Sequence, residues 1–300
     1  MGLHSENLIK LSKHEGTGND FLVLLDLSDS IRLSPNQVQL LCDRHRGIGA
    51  DGIIRVTKAD NSADVTMELH NCDGRIAEMS GNGIRCLAQA VVDAGMVPGL
   101  NFTVSTGAGI RSIEYQPLER KGWASATVDM GPVRLGKDQP QKFEGRRVRS
   151  VNTGNPHLVL LSRDIGEVDA LALGPKIEAV HPGGINVEFI STSSVADVLD
   201  LKVWERGVGI TLACGTGSVA AAAAARSWGL VGDVVTVNNP GGPLEVRLSA
   251  FSGDKIFGDG GGGNYGGGDG RNGEVVSFVS WLSGPVHKIG VIELDLSEYA

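Results

Sequence analysis

Two short glycine motifs in this chain carry side chains able to move protons: Ser80-Gly81-Asn82-Gly83 and Cys214-Gly215-Thr216-Gly217, each in front of an apolar helical pattern. The start of a helix presents N–H groups without intrahelical partners and the positive end of the helix dipole. It can therefore hold a carboxylate and lower the pKa of a cysteine placed there. Glycines let the backbone approach a ligand closely. Two acid/base groups on equivalent helix starts are what a cofactor-free enzyme needs to take a proton from one face of a carbon and return it to the other. Cys214 reads as an activated thiolate. Ser80 reads as its counterpart, with a hydroxyl that does not ionise near neutrality unless a base assists it.

The elements that must position these groups are written twice. Thr17-Gly18-Asn19-Asp20-Phe21-Leu22-Val23-Leu24-Leu25 recurs as Thr153-Gly154-Asn155-Pro156-His157-Leu158-Val159-Leu160-Leu161, and the glycine motifs recur at nearly the same offset. Each motif opens a helical run that closes on a glycine, Gly95 or Gly229. A strand pattern follows each run, Asn101 to Ser105 and Val234 to Asn238. The second helix, Val219 to Arg226, is almost all alanine, as a helix enclosed by closely approaching strands requires. The expected fold is α/β (α+β), with two pseudo-symmetric duplicated domains, each a mostly antiparallel or mixed sheet wrapped around a central helix. If a pseudo-twofold axis relates the halves, Ser80 confronts Cys214 across a cleft.

Composition narrows the function. Three hundred residues favour two domains over one core. The 35 acidic against 27 basic residues argue against a nucleic-acid partner. No apolar run is long enough to span a membrane, and Met1 to Lys10 lacks the pattern of a secretory signal. Cys42, Cys72, Cys86 and Cys214 form no CxxC pair, so neither a zinc site nor a disulfide framework is indicated, and a reducing compartment, the cytoplasm, fits. Cys86 lies inside the first helical pattern and reads as core, and Cys42 and Cys72 as structural. The Gly/Asp/Asn tract 257–273 reads as an insertion in a loop.

A dinucleotide site competes for the second motif, because Gly215-Thr216-Gly217-Ser218-Val219-Ala220 fits the loose GxGxxG/A pattern with Asp233 downstream. That reading leaves the copy at Gly81 to Gly83 and the Thr-Gly-Asn repeat unexplained. No cofactor and no metal are expected.

In combination, several motifs resemble the diaminopimelate epimerase family, within the cofactor-independent racemases and epimerases. They are Gly16 to Phe21, Arg44 to Gly52, Asn71-Cys72-Asp73-Gly74, Gly81-Asn82-Gly83-Ile84-Arg85-Cys86, Gly154-Asn155-Pro156-His157, Glu205-Arg206-Gly207-Val208-Gly209 and Ala213 to Gly217. The resemblance implies residues 1–126 plus 287–300 as one domain and 127–286 as the other, each with one catalytic group. Cys214 is the second catalytic cysteine, and Ser80 stands where the first belongs. Carried over by motif, substrate contacts are Asn19, Asn71, Asn155, Asn186, Glu205 and Arg206, with the N–H groups of Gly81, Asn82, Gly215 and Thr216 on the reacting carboxylate. A guanidinium grips carboxylate and a carboxylate pairs ammonium, which suits a zwitterionic amino acid. His157 is expected at the edge of the site. Ile210 departs from the family pattern, which has glutamate there.

The resemblance implies epimerisation of LL-2,6-diaminopimelate to the meso form in lysine biosynthesis, by a cytoplasmic homodimer. Alternatives are a related lyase, dehydratase or racemase acting on another amino or imino acid, and a substrate-binding homologue without turnover.

Overall fold

Two helices of this chain are buried almost from end to end, and that dictates what must surround them. The computed structural model describes residues 8–59, 62–143, 145–251 and 275–299; the tract 257–273 lies outside them. Two compact units emerge, Met1–Val128 with Pro285–Ala300, and Asp129–Gly284.

Unit 1 contains β1 (Leu8–Gly16), β2 (Asn19–Leu25), α1 (Pro35–Cys42), β3 (Gly52–Lys58), β4 (Val65–Asn71), β5 (Ile76–Ala77), α2 (Gly81–Asp93), β6 (Asn101–Thr106) and β7 (Gly109–Pro117). The long β8 (Trp123–Phe143) starts in unit 1 and ends in unit 2. There follow β9 (Arg146–Asn152), β10 (Pro156–Leu161), α3 (Ala170–Ala179), β11 (Asn186–Thr192), β12 (Val198–Glu205), β13 (Gly209–Ile210), α4 (Gly215–Ser227), β14 (Val234–Asn239) and β15 (Gly242–Ala250). The final strand, β16 (Val275–Asp295), returns the chain to unit 1.

Unit 1 has the strand order β8-β7-β6-β4-β3-β2-β1-β16, and unit 2 has β8-β9-β10-β11-β12-β14-β15-β16. Parallel neighbours occur at matching places, β2/β3 and β4/β6 in one unit, β10/β11 and β12/β14 in the other. The duplication read from the Thr-Gly-Asn and glycine motifs is thus a duplication of topology. In unit 1 the sheet closes where Lys288 N–H donates to the Gly122 carbonyl at 2.9 Å and Trp123 stacks on His287. In unit 2 the Ser280 hydroxyl reaches the Gly131 carbonyl at 3.2 Å.

Inside unit 1, α2 is buried from Gly81 through Val91. Its counterpart α4 buries the whole run Val219 to Ala225, where methyl side chains keep the helix thin enough for strands β9, β10, β11, β12, β14 and β15 to pack around it. Both helices stop in the same way. Gly95 (φ 65°) and Gly229 (φ 73°) turn left-handed, and the next amides, Met96 and Leu230, reach back to the carbonyls of Val91 and Ala225.

One buried polar contact ties helix to sheet in unit 1. His14 on β1 has Nδ1 at 3.0 Å from Gln89 Oε1 on α2 and Nε2 at 2.9 Å from Ser12 Oγ. Burial pulls the His14 pKa down to about 4, against the hydrogen bond that Gln89 Oε1 accepts from the ring. The unfolded chain takes up this proton near pH 6.5 and the folded chain only near 4, so His14 costs no stability above pH 6.5 and costs progressively more as pH falls. The protein is expected to lose about 3 kcal/mol of stability between pH 6.5 and 4 through this group. Urea midpoints measured across that range for the parent and His14→Gln check this. An equal acid dependence in both proteins would refute it.

Candidate active site

Each motif places its chemically active side chain at the N-cap of a buried helix. Ser80 (φ −136°, ψ 125°) caps α2, and its Oγ accepts the Gly83 N–H at 3.1 Å. Cys214 (φ −122°, ψ 115°) caps α4, and its Sγ accepts the Gly217 N–H at 3.3 Å. Hydroxyl and thiol therefore perform the same structural task, satisfying the third amide of a helix whose first amides have no partner within it.

In unit 1, the Ser80 end is partly exposed, and Asn19 and Asn82 are joined across it. Asn82 Nδ2 donates to Asn19 Oδ1 at 3.5 Å, and Asn19 Nδ2 donates to Asp51 Oδ2. Asp51 is held in turn by Arg44, whose Nη2 lies 2.7 Å from Oδ1. Asn71 sits exposed at the end of β4, opposite Gly52 in register, and its backbone opens the turn through Gly74.

In unit 2, Asn186 at the start of β11 fixes its neighbours with both ends of its amide. Nδ2 donates to the Pro156 carbonyl at 3.0 Å and Oδ1 accepts the Arg206 N–H at 2.9 Å. Asn155 Oδ1 accepts the Thr153 hydroxyl at 3.1 Å and stands 2.8 Å from His157 Nε2. Glu205 and Arg206 do not form the surface ion pair such neighbours often make. The Arg206 guanidinium is exposed and reaches the Gly183 carbonyl at 3.4 Å, and Glu205 accepts the Thr211 hydroxyl at 2.5 Å. Thr211, next to the divergent Ile210, is thus what holds this carboxylate. Ile210 is half exposed.

His157, expected at the edge of the site, is buried between Asn155 and Glu188. It has no exposed surface, and its Nδ1 is 2.7 Å from Glu188 Oε1, itself wholly buried on β11. Cys214, expected as an activated thiolate, lies in surroundings that oppose that state: burial first, then the carboxylates of Glu205 and Glu188, push its pKa well above the usual thiol value, outweighing the Thr216 hydroxyl and the Gly217 amide. Burial likewise raises Glu205 and Glu188. With two carboxyl groups close to the buried thiol, the surroundings favour its protonated form.

Glu188 is the residue that motif reading missed. Its Oε1 lies 2.8 Å from where a Gly217 Cβ would stand, with Cys214 Sγ 3.2 Å from the same point, so only glycine fits there. A signal existed: Glu188 is a lone charge in the strand Asn186 to Ile190, at an inward position by alternation with Asn186 and Ile190. The other cysteines divide differently. Cys86 and Cys42 are buried, each pushed up to about 12 by burial, and Cys72 is exposed.

Comparison with known proteins supplies the family. The family model described as diaminopimelate epimerase matches residues 11–136 and 149–258. Diaminopimelate epimerase 1 of Nostoc sp. (strain PCC 7120) is 38% identical over 266 residues, covering 80% of this chain and 92% of the relative. The chain belongs to the diaminopimelate epimerase family. Another relative, the diaminopimelate epimerase of Leptospira biflexa, is 36% identical over 257 residues, covering 80% of this chain and 91% of the relative. Among solved structures, a PhzF-family phenazine biosynthesis protein of Bacillus anthracis has a TM-score of 0.69 at 13% identity, covering 96% of this chain and 99% of that one. A hydroxyproline epimerase of Agrobacterium vitis has a TM-score of 0.66 at 17% identity, covering 98% and 94%. These two share the fold of this diaminopimelate epimerase family member.

The protonated state of Cys214 is directly testable. At pH 7.5 without substrate, iodoacetamide is expected to label exposed Cys72 at an ordinary rate and Cys214 at least about tenfold more slowly, with the Cys214 rate climbing above pH 9. Mass spectrometry of labelled peptides over time reads both. Faster labelling of Cys214 than of Cys72 would contradict the donor state.

Proposed function

We propose that the protein epimerises LL-2,6-diaminopimelate to the meso form in lysine biosynthesis, without a cofactor, and that Cys214 and Ser80 are its two proton-transfer groups. The observation carrying this reading is the thiol of Cys214, capping a buried helix and held protonated by its surroundings. Family membership supplies the substrate class, since the named relatives are diaminopimelate epimerases.

In the reaction the Cα–H bond breaks, the carbanion is stabilised as its carboxylate takes up charge, and a proton arrives on the opposite face. The Gly215 and Thr216 amides in unit 2, and those of Gly81 and Asn82 in unit 1, are assigned to that carboxylate. Arg206 and Glu205 are assigned to the charged ends of the zwitterion, with Asn19, Asn71, Asn155 and Asn186 completing its hydrogen bonds. In one direction the Cys214 thiol gives a proton while Ser80 Oγ takes the α-proton; in the other Cys214, as thiolate, takes the α-proton while the Ser80 hydroxyl gives one. The Ser80 half is the weak one: among the described residues no carboxylate or imidazole bonds to Ser80 Oγ, whose partner is the Gly83 amide. We read the protein as a homodimer of the cytoplasm, which size-exclusion chromatography with light scattering would check for its oligomeric part.

That single contact also favours a second reading, a protein that binds diaminopimelate and exchanges its α-proton but epimerises slowly. Incubation of LL-diaminopimelate in deuterated water separates the two. The parent is expected to incorporate deuterium faster than it forms meso product, and Ser80→Cys to raise meso formation about a hundredfold, the usual worth of a positioned acid/base group. Exchange without any meso product from the parent would leave only the second reading. The absence of both exchange and binding would remove diaminopimelate as substrate.

Removing the thiol gives an independent check. Cys214→Ala is expected to lose both deuterium exchange and meso formation by at least about a hundredfold while still binding diaminopimelate by calorimetry. Undiminished exchange in this variant would take Cys214 out of the mechanism.

A further inference from the structure

Arg85 is the largest fully buried side chain among the described residues, one turn into α2 and with no exposed surface. Its guanidinium donates to the Gly81 carbonyl at 3.0 Å, Thr17 Oγ1 at 2.9 Å, Asn82 Oδ1 at 3.0 Å and the Pro285 carbonyl at 3.3 Å. All four acceptors are neutral, and no ion pair to Arg85 exists among the described residues. The contrast within the same unit is sharp: buried Arg55 is surrounded by Asp26, Asp29 and Glu68. The one carboxylate that acts on it, Glu15, does so at a distance and without an ion pair, and a buried charge so thinly compensated is costly, so its hydrogen bonds alone do not account for a guanidinium here. Burial also pulls the Arg85 pKa down, to about 10, which leaves it charged at neutral pH.

The bonds leading away from Arg85 have a direction. Asn82 turns its oxygen to the guanidinium and its Nδ2 to Asn19, and Asn19 turns its oxygen to Asn82 and its Nδ2 to Asp51. Two amides are thus strung between a cation and a carboxylate, and each is forced into the orientation that points N–H away from Arg85. In α4 the equivalent position is the buried Val219, and the polar groups beneath that helix are Glu188 and His157.

We propose that Arg85 is a positioning residue for the unit 1 half of the site: its charge, bonded only to neutral acceptors, orients the Asn82–Asn19 amides and reinforces the first turn of α2, so that this end holds the carboxylate of the substrate. The inference rests on the assignment of the Gly81 and Asn82 amides to that carboxylate. A helix end alone offers a partial charge that water screens, whereas a full charge buried one turn behind it acts through a poorly screening interior.

The test compares the parent with Arg85→Lys and Arg85→Met, using sulfate as an anion probe and diaminopimelate as ligand. Hydrogen exchange of the Ser80–Gly83 amides is expected to slow with sulfate in the parent, less in Arg85→Lys, and about tenfold less in Arg85→Met. Arg85→Lys is expected to raise the KM for diaminopimelate deuteration about tenfold with kcat within about twofold. A merely structural role would instead lower kcat and the urea midpoint together. If Arg85→Met does not fold, Arg85→Lys decides: sulfate protection equal to the parent's, or none in the parent itself, overturns the proposal. If the parent binds no diaminopimelate while sulfate protection still follows Arg85, the substrate assignment falls and the role of Arg85 stands.

Discussion

Everything in this molecule hangs on one requirement: a helix that starts inside a sheet must find acceptors for its leading amides. The strands around it already spend their carbonyls on one another. The residue before each helix therefore turns its own side chain back to the third amide, and that residue is the one with chemistry to do. The caps draw Ser80 Oγ and Cys214 Sγ to the third amides, where the Gly83 and Gly217 N–H groups donate, and at Gly217 a Cβ would stand 2.8 Å from Glu188 Oε1. The same geometry leaves the first amides of the turn available to an anion.

The two ends are alike in backbone and opposite in surroundings. Gly83 rests on hydrocarbon, the Ile54 and Phe21 side chains, and has a cation, Arg85, within the same turn. Gly217 rests on the carboxyl of Glu188, which is paired with His157. The hydroxyl thus caps a helix that carries a buried cation one turn in, and the thiol caps a helix whose start lies against carboxyl groups that raise it.

Much of this was legible in the residues. Strand and helix positions repeat because glycine marks both ends of each helix, so the duplication shows as spacing, and the alanine run of α4 declares a helix enclosed on all sides. What escaped reading was set by distant contacts. Alternation along β11 put Glu188 inside, but nothing local said that its partner would be a histidine one strand away. His157 lies beside a motif that suggests exposure, yet its ring is sealed by β10 and β11. The acidity of Cys214 could not be read from a helix end, because burial in the surrounding sheet and the carboxylates of Glu205 and Glu188 raise the thiol.

The differing floors beneath the two glycines have a bearing on how the halves of the duplication have been able to diverge. In unit 1 the helix start presses on the ends of Ile54 and Phe21, apolar groups that can shift by a few tenths of an ångström and have no charge to lose. In unit 2 it presses on a carboxyl group and a sulfur that must both keep their places. The first half is therefore free to accept changes of side chain that the second half would reject. The chain carries its departure from the paired-thiol pattern on the tolerant side, at Ser80, and keeps its thiol on the side where the packing leaves no slack.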